Sequence, residues 1–333
     1  LSRQLLSAGL ERLYLFGHGE NSIYQIDREL KILQAGGVGE HTAIVPVIGD
    51  LKDGEHLLWL LQRLKADVVL HAAAYKHVPM MEANTVAAIH NNVFGTKNLV
   101  DAALAAGTRR FVLISTDKAV QPLCVYGASK FLSERIVMDA QAKAGQNQAF
   151  MSVRFGNVLG SRGSILPLFR KQIEQGGPLT VTHPEAKRYF MTIPEACSLV
   201  LKTGGVGQGG QSYILDMGEP LYIRELAEQV IRFSGLEPHK DIAIEYIGLR
   251  PGERLEESLV GPDEELAGTE YPKINRLTRT GPAFPTEAAL KALKRTCFRE
   301  SGSLNDYRNR RTLRAELKRF IPSVEEVPGE PEY

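Results

Sequence analysis

The chain is 333 residues long, 43% hydrophobic and 24% charged, an average globular usage that excludes disordered, collagen-like and coiled-coil classes. Forty Lys and Arg against 39 Asp and Glu leave a formal charge of +1, so there is no general electrostatic footprint for nucleic acid or an anionic membrane. At roughly 150 residues per domain, the length corresponds to about two domains or one large α/β unit with an elaborated end.

The three cysteines, Cys124, Cys197 and Cys297, are far apart and lie in no C-x-x-C or Cys/His spacing, so neither a disulfide framework nor a metal site is expected. No apolar stretch approaches the roughly 18 to 20 residues of a membrane span. The opening LSRQLLSAGLERLYLF lacks the organisation of a signal peptide, and the cytoplasm is the expected compartment.

Leu1, Leu5 and Leu6 fall at helical spacing and run into Gly9, so the chain opens inside a helix. Strands at 13–16, 43–48, 67–71, 110–115 and 150–155 then alternate with helices at 22–33, 57–64, 85–106 and 127–144. This rhythm predicts βαβ units and a Rossmann-like, doubly wound parallel sheet. Beyond Gly156 the regularity weakens, and Gly176-Gly177-Pro178 breaks the chain before a strand at 179–182. A second, smaller region begins near here. Helices are expected at 193–203 and 223–234, strands at 212–216 and 242–247, and a mobile tail at 324–333.

The strongest chemical signal is Ser115-Thr116-Asp117-Lys118 at the end of an apolar strand, followed by Tyr126-Gly127-Ala128-Ser129-Lys130 at the opening of a helix. Ligands of open α/β sheets bind beyond the carboxyl ends of the strands, so both segments point into one crevice. Tyr126 and Lys130 are four residues apart and share a helix face. An ammonium a few ångström from a phenol favours the phenolate, which makes Tyr126 a credible base for a hydroxyl proton, and Thr116 can hydrogen-bond the same hydroxyl. His71, His90 and His183 read as structural.

The segments STDKAVQPLCVYGASK, VRFGNVLGSRGSILPLF and VTHPEAKRYFMTIPEA resemble the extended short-chain dehydrogenase/reductase superfamily, and within it the polysaccharide-biosynthesis branch of UDP-N-acetylglucosamine 4,6-dehydratases. HAAAYKHVPMMEAN, NNVFGTKN, LDMGEP and LRPGERLEE extend the resemblance over nearly the whole chain to about residue 280. The resemblance implies that Tyr126, Lys130 and Thr116 support hydride removal from sugar C4, that Lys118 takes the C5 proton, and that Asp117 protonates the departing C6 hydroxyl. It implies a tightly bound, recycled NAD or NADP contacted by Asp50, Leu51, Ala72, Ala73, Ala74 and Asn92 as well as by Tyr126 and Lys130. A UDP-sugar would be held by Lys76, His77, Asn157, Arg162, Arg188, Arg250 and Glu253.

On this reading residues 1–155 form the NAD(P)-binding region, to which 187–218 return, while 156–186 and 219–323 bind the nucleotide sugar. A homo-oligomer is expected through a helix pair that includes residues 127–144. Two departures from the family pattern stand out. The family begins with a strand and a glycine loop that cradles pyrophosphate on a helix N-terminus. Here Leu1-Ser2-Arg3-Gln4 resembles the helix that follows such a loop, so the first strand and loop are expected to be missing from this sequence. Any membrane association would come only through that missing region. The letters G-x-G-x-x-G do occur at 205–210, but after a helix and before a strand, the reverse of the order a phosphate cradle needs. The second departure is Gly17, which stands where an acid would bind the adenosine ribose, so the choice between NAD and NADP stays open.

The expected activity is a nucleotide-sugar 4,6-dehydratase supplying a 4-keto-6-deoxy sugar for surface polysaccharide. A UDP-sugar 4-epimerase on the same fold is the alternative. A non-catalytic nucleotide-binding protein is the third, should the natural chain start at Leu1.

Overall fold

The computed structural model describes residues 1–161 and 163–331. It opens with helix α1 (Ser2–Leu6), strand β1 (Arg12–Gly17), helix α2 (Glu20–Ala35) and strand β2 (Ala43–Ile48). β1 and β2 pair in parallel from Arg12↔Ala43 to Gly17↔Ile48. Leu13 and Leu15 alternate inward from β1 and meet Leu6, Ile23 and Leu30 in a small core. Helix α3 (Gly54–Leu64) follows, its first turn capped by the Asp53 carboxylate, which accepts from His56 N at 2.9 Å. Strand β3 (Val68–His71) then enters the main sheet.

The helix expected over 85–106 is broken in two. After α4 (Val78–Ala83), helix α5 (Thr85–Ile89) gives way to one π-helical turn, His90–Phe94, before α6 (Gly95–Ala106). The turn frees the Asn92 carbonyl to accept from Thr96 Oγ1 at 2.5 Å and Ser133 Oγ at 2.9 Å. Such a bulge re-aims a side chain at a cost in local regularity, and here the side chain is that of Asn92.

The main sheet continues with β4 (Arg110–Thr116), helix α7 (Val125–Gln141) and β5 (Ala149–Phe155). Along β4, Phe111 and Leu113 face one core and Val112 the other, so both faces are covered. Beyond β5 come β6 (Asn157–Leu159), α8 (Ile165–Glu174), β7 (Leu179–Val181), β8 (Lys187–Arg188), β9 (Phe190–Thr192) and α9 (Ile193–Val206). The glycines at 205–210 lead from α9 into β10 (Ser212–Leu215), which pairs in parallel with β5. They are a helix-to-strand loop. After β11 (Leu221–Tyr222), α10 (Ile223–Phe233) and β12 (Ile244–Tyr246), the strands β13 (Glu264–Gly268) and β14 (Ile274–Arg279) complete the sheet in the order β13-β14-β10-β5-β4-β3. A smaller core of Phe169, Leu179, Val181, Ile223, Ala227, Ile231 and Ile244 joins α8, α10 and the β7–β12 pair.

The last third of the chain is distributed differently from the sequence reading. Strands β13 and β14, grouped there with the nucleotide-sugar region, extend the main sheet because β14 pairs antiparallel with β10. Helices α11 (Thr286–Cys297) and α12 (Arg310–Phe320) contribute Ala289, Leu290, Leu293, Leu313 and Leu317 to the core around α6 and α7. Residues 324–331 of the segment read as a mobile tail pack as well: Val324 is buried in that core, and the Glu330 carboxylate bonds Arg314 through two oxygens, at 2.6 and 3.1 Å. Helix α7, expected to pair with a second copy, is covered by α11 of the same chain. Phe131 meets Phe284 edge to face at 5.0 Å, and the Arg135 guanidinium stacks 4.5 Å from the Phe131 ring.

Beneath the sheet's carboxyl end lies a buried ionic network. Arg154 of β5 bonds Glu134 of α7 at 2.8 Å and Glu264 of β13 at 2.7 Å; Arg279 of β14 bonds Glu134 at 2.8 Å, and Ser115 Oγ donates to Glu134 at 2.6 Å. Two guanidinium groups and two carboxylates balance, which is what allows them to be buried. Among the described residues no helix is long and apolar enough to cross a membrane.

Candidate active site

Strand β4 delivers Thr116 to the carboxyl edge of the sheet, where the chain turns through Asp117–Ala119 in one 3₁₀ turn. The Thr116 hydroxyl donates to Asp117 Oδ1 at 2.7 Å and accepts from Lys118 N at 3.4 Å. Lys118 Nζ donates to the same Asp117 oxygen at 3.1 Å and sits 3.3 Å from Glu257 Oε1. Asp117 is fully buried, and its second oxygen, Oδ2, meets no protein donor. A buried carboxylate oxygen without a donor is costly unless a ligand completes it. Burial by itself would lower the Lys118 pKa, but the two carboxylates override it and hold the ammonium above its ordinary range.

Helix α7 starts five residues beyond this turn, with Cys124 Sγ accepting from Gly127 N at 3.3 Å. A Cβ on Gly127 would come within 2.3 Å of the Lys118 carbonyl oxygen, so the glycine lets the helix press against the 117–119 turn. Tyr126 and Lys130 both lie in the buried first turns of α7. Their electrostatics differ from the sequence reading. Lys130 Nζ donates to the Ile114 carbonyl at 2.7 Å, and burial pulls its pKa down to about 8 against the pull of Glu134. The Tyr126 phenol is pushed up to about 12, mainly by burial, and the cation that pulls it back is Lys118. The expected depression by Lys130 is therefore reversed: desolvation outweighs the ammonium field, and the field comes from the other lysine. Thr116, whose hydroxyl bonds Asp117, also lowers the Tyr126 pKa, so it neighbours both groups.

The residues expected to hold a dinucleotide are placed unevenly. Ala72 and Ala73 are exposed just past β3, and Ala74 is half-buried, so methyl-sized side chains leave the carboxyl end of that strand open. Asp50 follows β2 and pairs with Lys52 at 3.2 Å, while Leu51 turns its side chain into the core. Asn92 is corrected. Its amide donates to the Tyr75 carbonyl and Ser129 Oγ, both at 2.9 Å, and its oxygen accepts from Tyr75 N at 2.8 Å and Asn91 Nδ2 at 3.0 Å. Every hydrogen-bonding site of the side chain is used, so it fixes the 72–77 loop to α7 and has no capacity left for a cofactor. His71 is buried against Thr96 Oγ1 at 2.8 Å with its pKa lowered to about 3 by burial, a neutral structural histidine.

Of the residues expected to bind the sugar nucleotide, Lys76 and His77 are exposed on the loop entering α4, and Asn157 begins β6. The Arg188 guanidinium donates to the carbonyls of Lys187, Arg254 and Leu255 at 2.7 to 2.9 Å and lies 3.6 Å from Glu257, so most of its donors hold the 254–257 segment. Arg250 and Glu253 form an exposed turn in which the Glu253 carboxylate accepts from Arg250 N at 3.1 Å. Arg162 lies outside the described residues. Glu257, four residues beyond Glu253 in the same motif, was not picked out from sequence although it supplies the second anion on Lys118. Its only signal was a further acid at the end of LRPGERLEE.

A family profile described as "Polysaccharide biosynthesis protein" matches residues 1–279. The chain belongs to this family. One relative is the capsular polysaccharide biosynthesis protein CapD of Staphylococcus aureus, 48% identical over 276 residues that cover 83% of this chain and 45% of CapD. The chain thus spans less than half the length of that relative. Another family relative, the UDP-N-acetylglucosamine 4,6-dehydratase (inverting) of Campylobacter jejuni subsp. jejuni, is 34% identical over 251 residues covering 75% of this chain and 72% of the relative. Among solved structures, Pen from Bacillus thuringiensis superposes with a TM-score of 0.72 at 33% identity, covering 82% of this chain and 81% of that one. Family membership and the Rossmann-like parallel sheet agree with the sequence reading.

Proposed function

We propose that the chain carries the catalytic machinery of a nucleotide-sugar 4,6-dehydratase that uses NAD or NADP, takes UDP-N-acetylglucosamine and forms a 4-keto-6-deoxy sugar for surface polysaccharide. The observation that carries this reading is the buried Asp117–Lys118 pair, with Asp117 Oδ2 lacking a donor, placed one hydroxyl away from Tyr126. A 4-epimerase needs a base at the C4 hydroxyl; it has no use for a second acid/base pair. The name of the Campylobacter jejuni relative supports the dehydration, and that of the Staphylococcus aureus relative supports the polysaccharide destination.

The small side chains of Ala72–Ala74 at the open end of β3, with Tyr126 and Lys130, would hold a dinucleotide. NAD or NADP bound there would supply the hydride chemistry, removal at sugar C4 and return at C6. Tyr126 accepts the C4 hydroxyl proton, its phenolate stabilised by the Lys118 ammonium. The 4-keto group acidifies C5. The Asp117–Lys118 pair shares one proton, and moving it from Lys118 to Asp117 creates the amine base and the carboxylic acid that elimination requires. In a site closed from water this neutral form is disfavoured less than it would be in solution. Lys118 then takes the C5 proton, Asp117 protonates the C6 hydroxyl, and water departs. Lys118 later returns its proton to C5. The proton gained by Tyr126 replaces the one lost by Asp117, and Thr116, bonded to Asp117 and beside the phenol, stands between them.

The test is the mass of UDP-N-acetylglucosamine after incubation with the protein and NAD or NADP. A product lighter by one water, absent with Lys118→Ala, supports the dehydratase. A changed sugar of unchanged mass moves the assignment to the epimerase, and an unchanged sugar removes this substrate.

A further inference from the structure

The family profile ends at residue 279, yet the chain after it returns to the active site. Ser323 Oγ donates to the Pro122 carbonyl at 2.9 Å, and Glu325 N donates to the Leu123 carbonyl at 2.9 Å. Glu325 Oε2 accepts from Gly252 N at 3.1 Å. Residues 323–325 therefore span from the loop that enters α7 to the turn at 250–253. Between these two, packing is close: Gly252 has φ +78°, and a Cβ there would lie 2.5 Å from the Cys124 Cβ.

A second line of contacts reaches the same loop from behind. Arg314 of α12, 4% exposed, donates to Glu82 Oε2 at 2.8 Å and Glu330 Oε2 at 2.6 Å, and to the Glu325 carbonyl at 3.1 Å. Arg310 lies 3.5 Å from Glu330 and donates to the Glu82 carbonyl at 2.7 Å. The other Glu82 oxygen accepts from Val125 N at 2.7 Å. Val125 is the first residue of α7, and Tyr126 is the next. Two arginines and two glutamates thus gather in one cluster, and its bond from Glu82 to Val125 N holds the helix turn that carries the phenol.

We infer that residues 310–331 are a positioning strap for the active site: through Arg314 and Glu82 they fix the first turn of α7, and through Ser323 and Glu325 they fix the 121–124 loop and the 250–253 turn. Tyr126 must meet its hydroxyl within hydrogen-bond reach, and small misplacements of such a group cost turnover more than binding. The strap ties down a loop that opens on the exposed Gln121, whose φ is +39°. The role assigned to turnover rests on the dehydratase reading; the role in ordering the loop does not.

Two variants test it, Glu330→Ala and Ser323→Ala, read by amide exchange without substrate and by steady-state kinetics. Losing one or two hydrogen bonds corresponds to roughly tenfold faster exchange over 121–127, with exchange over β4 unchanged. The matching expectation is a roughly tenfold lower kcat with KM little changed, since the lost contacts act on the reacting geometry. A Glu330→Gln variant, which keeps the acceptors, restores part of both. Unchanged exchange over 121–127 in variants that still fold overturns the strap, and a fall in melting temperature alone does the same. Should Glu330→Ala not fold, Ser323→Ala decides, because it removes only the Pro122 contact. If exchange rises but no variant and no wild-type protein turns over a nucleotide sugar, the strap stands and the dehydratase reading fails.

Discussion

Glu257 reaches to within 3.3 Å of the Lys118 ammonium, which Asp117 holds at 3.1 Å. It is the second of two carboxylates that raise the Lys118 pKa against burial, and so it works against release of the proton that a base must lose. In Glu257→Gln the ammonium keeps only Asp117 as an anion, and the amine form becomes accessible at lower pH. The acid limb of the kcat profile is expected to move down by about one pH unit. An acid limb that stays in place would show that Glu257 does not govern Lys118.

Tyr126→Phe removes the hydroxyl that joins the substrate to Thr116 while leaving the ring in its buried place. Turnover is expected to fall by about 10²- to 10⁴-fold, the ordinary value of a positioned acid/base group. Binding of NAD or NADP, followed by fluorescence, is expected to weaken far less than turnover. Full turnover in the variant would take the phenol out of the mechanism.

The pH dependence of stability is expected to centre on Glu134. Burial alone would raise its pKa, but Arg154, then Arg279 and Ser115, bring it down to about 2. A folded value below the ordinary carboxylate range stabilises the protein above pH ~4.5, and that stabilisation is lost as pH falls toward 2. Glu134→Gln leaves two arginines with one carboxylate and is expected to cost about 3–5 kcal/mol at pH 7. In urea titrations the gap between variant and parent should close between pH 4.5 and 2; a gap that is independent of pH would contradict the assignment.

The three thiols are expected to separate cleanly. Burial raises the Cys124 pKa to about 11 and the Cys297 pKa to about 12, whereas Cys197 is half-exposed on α9. A thiol-specific disulfide reagent at pH 8 should modify Cys197 in the folded protein and the other two only on unfolding, because burial closes off Cys124 and Cys297 and keeps them protonated. Rapid modification of Cys124 would mean that the loop before α7 opens readily.

The parallel core was legible because β4 and β5 are uninterrupted apolar runs and Tyr126 and Lys130 sit four apart at the start of an amphipathic stretch. Strands β13 and β14 were not, since Glu264-Glu265 and Asn275-Arg276 carry no strand pattern of their own; β14 is held by pairing with β10, and β13 by pairing with β14. Helices α11 and α12 did carry a signal, with Leu290 and Leu293, and Leu313 and Leu317, at helical spacing. Residue identity located Asn92 and Arg188 near the site, but it could not say whether their donors face a ligand or the chain itself. That depended on which carbonyls the fold brought alongside, Tyr75 for one and Arg254 for the other.

The covering of α7 by α11 bears on how this enzyme-like core behaves at low concentration. Where two chains shelter each other's central helices, dilution strips both, and the folded fraction depends on how much protein is present. Here the shelter is tethered to the helix it protects, so its closure is unimolecular. The Tyr126 helix keeps its hydrophobic cover at any dilution, and a second copy seeking that face would first have to displace a segment of the chain it approaches.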